Sequence, residues 1–155
     1  MKNQMSEVQE FLHLRRIAMV GVSRNPRDFS RALWNELRTR GFDMVAVNPA
    51  ADDIDGQPCF PYVAGIEPEV DGVLVMTKPA ETPAILEECA ARGVRYAWLY
   101  RGVGKGAVDE WAAEKARGLG ITVIAGECPF MFLREAGFPH HLHGWFRRLT
   151  GGYPN

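Results

Sequence analysis

The chain has 155 residues, 46% hydrophobic and 24% charged, which suits one compact domain with a core of ordinary size. Its 18 Lys and Arg against 19 Asp and Glu leave a net charge of −1, which argues against a general nucleic-acid or membrane-surface binder. No run of 18 apolar residues and no basic-then-apolar leader occurs, and three widely spaced cysteines (Cys59, Cys89, Cys128) form no CxxC pair, so a reducing, cytoplasmic setting without membrane contact is expected.

Short apolar runs alternate with amphipathic stretches along the chain. Ser6 with Gln9 fits a capping box, which predicts a helix over Ser6–Leu14. Ile17–Gly21 reads as a buried strand closed by glycine. Phe29–Arg40 reads as a helix stopped by Gly41. Met44–Val47 is a second strand, ended by Asn48-Pro49. The stretch Ala50–Pro68, broken by Gly56, Pro58, Pro61, Gly65 and Pro68, is expected to be an ordered loop with at most one helical turn.

Val73–Met76 is the third strand, with its helix over Ala84–Arg92 and Gly93 just beyond. Tyr96–Tyr100 is the fourth strand, Ala107–Gly118 the next helix and Ile121–Ala125 the fifth strand. Short strands alternating with helices imply crossover units and a parallel sheet. The expectation is an α/β fold: a single Rossmann-like domain over 1–155, with a five-stranded parallel sheet and helices on both faces. Its core covers about 15–130, and a helical extension covers 131–155.

Charge is uneven along this frame. Residues 1–40 carry eight basic side chains, whereas 41–72 carry seven acids (Asp43, Asp52, Asp53, Asp55, Glu67, Glu69, Asp71) and no Lys or Arg. Two solvated surfaces of opposite sign would account for this; so would an anion site near Arg24, Arg27 and Arg31.

In an open parallel sheet, ligands bind beyond the carboxyl ends of the strands at the switch point. The turn after the first strand, Gly21-Val22-Ser23-Arg24-Asn25-Pro26, falls there. Gly21 permits close backbone approach, Ser23 offers a hydroxyl, the following helix offers N-terminal N–H groups, and the arginines offer charge-assisted bonds to phosphate. Asn48-Pro49, Thr77-Lys78-Pro79 and Tyr100-Arg101-Gly102 fall on the same rim. The standard nicotinamide fingerprint fails, because Ser23 and Pro26 replace its second and third glycines and the second strand ends in Asn48-Pro49 instead of an acid. Gly102–Gly106 lacks both the first glycine and the Ser/Thr of a P-loop.

These segments together resemble a known family. Ile17–Pro26, Ala46–Pro49 (A-V-N-P), Ile54–Gly56 (I-D-G), Val70–Val75, Lys78-Pro79, Ala97–Leu99 (A-W-L) and Gly126–Pro129 (G-E-C-P) are similar to the CoA-binding-domain proteins. These are stand-alone relatives of the N-terminal domain of the succinyl-CoA synthetase α subunit. The resemblance covers roughly Arg15 to Phe130. It implies that Gly21–Pro26 cradle phosphate, Asn48 and Pro49 flank the adenosine, Thr77, Lys78 and Pro79 line the pantetheine path, and Tyr100, Arg101 and Gly102 close the far side. Where the synthetase has a CoA-binding lysine, this chain has Ala51 followed by Asp52 and Asp53, with Arg24, Arg27 or Arg31 as the cations to compensate. The synthetase's catalytic second domain has no counterpart in so short a chain, so the ligase activity is not carried over.

Coenzyme A or an acyl-CoA, held without catalysis, is thus the expected ligand. The alternative is a nucleotide-dependent enzyme or subunit, such as an atypical NAD(P) reductase or an acyl-CoA ligase component. His140, His141 and His143 lack a fourth zinc ligand and precede Trp145 and Phe146, which suits a packed tail. The tail is expected to pack either on its own domain or on a second copy of the chain, the latter giving a homodimer. Cys128 reads as a buried structural cysteine or as a thiol able to pair with CoA. Glu87-Glu88 and Asp109-Glu110 read as solvated helix faces.

Overall fold

The computed structural model describes residues 3–133. Strand β1 (Arg16–Val20) lies in the middle of a seven-stranded sheet, with β2 (Asp43–Val47), β3 (Asp53–Ile54), β4 (Gln57–Phe60), β5 (Gly72–Val75), β6 (Tyr96–Tyr100) and β7 (Thr122–Glu127) in the order β3-β4-β2-β1-β5-β6-β7. All neighbours are parallel except β3 and β4. The chain runs outward from β1 to one edge, then returns to β5 on the other side of β1. The switch point therefore lies between β1 and β5.

Strand alternation divides the core between the two faces. Ile17 and Met19 of β1 meet helices α1 (Met5–Leu12) and α2 (Phe29–Thr39) through Val8, Phe11, Leu33, Trp34 and Leu37. Ala18 and Val20 meet α3 (Thr82–Ala91) and α4 (Glu110–Gly118) through Ile85, Leu86, Cys89, Ala112 and Ala116. Helices on both faces are thus observed as expected. Val73, Leu74 and Val75 are fully buried, as a strand covered on both sides requires.

The five-strand expectation is corrected to seven. Within the stretch read as a loop, Asp55 (φ 51°) and Gly56 (φ 76°) both adopt the left-handed conformation, giving the primed two-residue turn of a hairpin that pairs Ile54 with Gln57. β4 then adds to the edge of β2 through Ala46–Cys59 and Val47–Phe60.

Three helix starts also move, that of α3 from the expected Ala84 back to Thr82. α1 begins at Met5, where the Gln4 N–H donates to Glu7 Oε2 at 3.0 Å, so Ser6 lies inside the helix instead of capping it. α4 begins at Glu110, capped by Asp109, whose carboxylate accepts the Ala112 N–H at 2.9 Å. Ala107 is held outside that helix: its N–H donates to the Tyr100 carbonyl at 2.8 Å, and its carbonyl accepts the Thr82 hydroxyl at 2.6 Å. The extension beyond Leu133, the histidines within it and the homodimer contact expected of it lie outside the described residues.

Burial pushes the Cys89 thiol from 9.0 up to about 12, with the neighbouring Glu88 carboxylate acting in the same direction. Burial does the same to the Tyr100 phenol, from 10.0 to about 12, with Cys128 contributing second. Both groups are neutral in the folded protein, so above their ordinary values the unfolded chain binds fewer protons and stability falls as pH rises. Urea midpoints are expected to fall steadily from about pH 9 toward 12. Cys89→Ala, though less stable at neutral pH, should lose less on the lower half of that range. An unchanged slope in the variant would remove Cys89 as a cause.

Candidate ligand site at the carboxyl rim

The carboxyl ends of β1, β2 and β5 open into a cavity of about 550 Å³. Val20, Gly21 and Val47 line it from the sheet, and Asn48 and Pro49 from the turn after β2. Pro61, Tyr62 and Val63 close one side after β4, and Thr77, Ala80, Glu81, Ala84, Ile85 and Glu88 close the other. The cavity thus lies on the α3 face of the switch point.

Gly21 forms the pinch of this site. Its φ of +93° places it in the left-handed region, and a Cβ there would meet Thr77 Cγ2 at 2.8 Å. Its N–H donates to the Val47 carbonyl at 2.9 Å, which ties the turn after β1 to the end of β2. Thr77 Oγ1 is buried in the cavity wall and has no hydrogen-bond partner among the described residues. A buried hydroxyl without a partner is costly, and here it belongs to the residue whose methyl packs against the Gly21 turn.

The Asn48 side chain joins two of the rim turns: Nδ2 donates to the Val22 carbonyl at 2.9 Å, and Oδ1 accepts the Ala50 N–H at 2.8 Å. Val22 itself is fully buried. Beyond it the loop turns out to solvent, with Arg24, Asn25, Pro26 and Arg27 exposed. Ser23 donates its N–H to Ser30 Oγ at 2.9 Å, and its own hydroxyl oxygen accepts the Asn25 N–H at 3.0 Å. At the start of α2 the Asp28 carboxylate accepts the Ser30 N–H at 2.8 Å, so that helix end already carries a negative cap.

Arg31 does not reach the rim as a free cation. It is buried, donates to the Ser23 carbonyl at 3.3 Å and the Arg24 carbonyl at 3.2 Å, and forms an ion pair with Asp55 of the hairpin turn.

Of the residues read from sequence, Gly21, Asn48, Pro49 and Thr77 share the cavity wall. Lys78 and Pro79 lie on the adjoining turn, with Lys78 exposed. Ser23–Pro26 lie on the far side of Gly21. Tyr100, Arg101 and Gly102 are outside the cavity lining: the Tyr100 ring packs on Phe29 at 5.5 Å between centroids, on the α2 face. A bulge pairs Tyr100 with Glu127, and Arg101 lies against Gly126, where a Cβ would come within 2.9 Å of its guanidinium. Cys128 is buried, beside the Tyr100 and Phe130 cluster.

Sequence reasoning missed the far walls. Glu88 is no solvated-face residue: it lines the cavity, and its Oε2 accepts the Ala64 N–H at 2.9 Å. Glu81, Ala84 and Glu88 recur at the spacing of one helix face, which was the available signal. Pro61, Tyr62 and Val63 belong to the stretch read as a loop. Among the described residues there is no cluster of metal ligands and no helix long and apolar enough to cross a membrane.

The chain is 24% identical over 126 residues to an ADP-forming acetate–CoA ligase of Methanocaldococcus jannaschii, a match that takes in 79% of this chain and 18% of the ligase. It is 27% identical to the uncharacterized protein YneT of Bacillus subtilis, over 79% of this chain and 89% of that one. A hypothetical protein from Pyrococcus horikoshii has the same fold, with a TM-score of 0.74 at 26% identity, over 80% of this chain and 85% of that one. Residues 15–134 match the CoA binding domain model, and the chain belongs to the CoA binding domain family.

Proposed function

We propose that this chain binds coenzyme A or an acyl-CoA at the carboxyl rim and performs no chemistry on it. The observation that carries this reading is the 550 Å³ cavity at the switch point, where the Thr77 methyl closes on a glycine turn with no room for a side chain. The residues fit such a ligand. Val20, Val47, Val63 and Ile85 offer apolar walls, and Asn48, Glu81 and Glu88 offer a few directed polar groups. Lys78 stands exposed on the adjoining turn and Arg24 and Arg27 on the loop beyond Gly21, and none of them makes a salt bridge among the described residues.

In this reading Gly21, Val22, Ser23, Arg24, Asn25 and Pro26 hold the diphosphate, Asn48 and Pro49 the nucleoside, and Thr77, Lys78 and Pro79 the pantetheine. Tyr100, Arg101 and Gly102 support the far side of the rim. A second reading, a ligand-holding component of an acyl-CoA ligase, is favoured by the likeness to the acetate–CoA ligase. Product formed from CoA, a carboxylate and ATP would select it over the first.

Calorimetric titration with CoA, acetyl-CoA, NAD⁺, NADPH and ATP at one salt concentration tests the binding. Selective CoA binding is expected, and a preference for NAD⁺ or NADPH would overturn the reading. Ser23→Ala combined with Arg24→Ala should weaken CoA binding about tenfold through lost phosphate contacts. Unchanged affinity would take this loop out of the site.

A further inference from the structure

We infer that, among CoA-type nucleotides, the cavity selects the one whose ribose hydroxyls are free, so that dephospho-CoA, lacking the 3′-phosphate, is held more tightly than coenzyme A itself. The inference rests on the proposal that a CoA-type nucleotide occupies the rim.

Its basis is the division of charge around the cavity. Two carboxylates, Glu81 and Glu88, line the wall, and no Lys or Arg does. Each is anchored through Oε2, Glu81 by the Lys78 N–H at 3.2 Å and Glu88 by the Ala64 N–H at 2.9 Å. Their Oε1 atoms accept no hydrogen bond among the described residues and remain available to a ligand. The segment 41–72, which supplies the β2 turn and the Tyr62 side of the cavity, carries seven acids and no Lys or Arg. Asp52 and Asp53 are exposed just beyond Asn48 and Pro49. Arg31, the cation that reaches the hairpin turn, is committed to Asp55 and two loop carbonyls.

Arg24, Arg27 and Lys78, which form no salt bridge among the described residues, stand on exposed turns outside the lining. An anionic ligand therefore has its diphosphate at the lip and its uncharged parts within. A carboxylate accepts hydrogen bonds from a ribose diol and repels a ribose phosphate. Nicotinamide-dinucleotide sites use this difference, an acid for the free hydroxyl and an arginine for the phosphate. Here the wall holds acids alone. Adenine meets Val47, Val63 and the Tyr62 ring, and the ribose hydroxyls meet the Glu81 and Glu88 side, where a 3′-phosphate dianion would face like charge with no counter-ion.

Titration of the wild-type chain with CoA and dephospho-CoA, side by side at low salt, tests the selection. Dephospho-CoA is expected to bind about tenfold more tightly, and Glu81→Gln with Glu88→Gln to bring the two ligands within about threefold. Glutamine keeps the carbonyl oxygen that accepts each backbone N–H, so the wall retains its shape. CoA binding as tightly as dephospho-CoA would overturn the selection while leaving the rim site in place. A tenfold preference that survives both substitutions would overturn its assignment to these carboxylates. Binding of neither ligand would overturn the rim site itself, and with it the selection.

Discussion

Gly21→Val is expected to abolish measurable CoA binding and to lower stability by about 3 kcal/mol, the sum of backbone strain and crowding. The strain arises from φ +93°, which a β-branched residue rarely adopts. The crowding arises from Thr77 Cγ2 at 2.8 Å and from backbone atoms of Met76 and Thr77 at 3.3 Å. Because Thr77 carries the unpartnered hydroxyl in the cavity wall, anything that displaces it changes the site directly. Gly41→Val separates the two causes: Gly41 has nearly the same φ, +94°, but a Cβ there would meet nothing within 4 Å, and it follows α2 at the opposite rim. It should show the strain without the crowding and leave CoA affinity unchanged. Equal losses of affinity in both variants would mean that the Gly21 turn acts through global stability and not as part of the site.

The Gly21 turn is legible in the sequence because a buried apolar run ending in glycine before a helix fixes both the strand and its exit. The same holds for Asn48-Pro49 and Thr77, where an apolar run stops abruptly. These positions share a cavity because parallel strands bring their carboxyl ends to one rim. The walls are harder to read. A two-residue strand has no periodicity to detect, and the Asp55-Gly56 signal stands among prolines that suggest a loop. Glu88 looks solvated in sequence because its neighbour Glu87 is: Glu87 pairs with Lys115 at 3.1 Å, while Glu88, one position on, turns toward the cavity. Arg31 looks like a free cation because nothing in the local sequence announces Asp55, which the hairpin brings to it from 24 residues away. Tertiary placement of an edge hairpin decides both the site's far wall and the fate of its nearest buried charge.

That hairpin contact yields the second large effect. Arg31 has 6% of its side chain exposed and Asp55 44%, so the pair is buried on one side only. Removing the acid leaves a buried guanidinium whose Nε already has no partner among the described residues. Asp55→Asn, which retains tolerance of the left-handed turn, is therefore expected to cost about 2 kcal/mol, below the cost for a fully buried pair because water screens the Asp55 side. Arg31→Lys keeps the charge but not the fork that spans Asp55 and the Ser23 and Arg24 carbonyls, so it should retain little of the pair's contribution. In a double-mutant cycle the two residues should couple by about 1–2 kcal/mol.

Neither residue lines the cavity, yet the same guanidinium holds the loop proposed to take the diphosphate. CoA affinity should consequently fall several-fold in Asp55→Asn at temperatures where the variant remains fully folded. A variant that loses stability but keeps the wild-type Kd would reduce the pair to a structural tie between hairpin and helix. A parallel loss of both would make Asp55 a positioning residue, acting on the phosphate loop through Arg31 from the edge of the sheet.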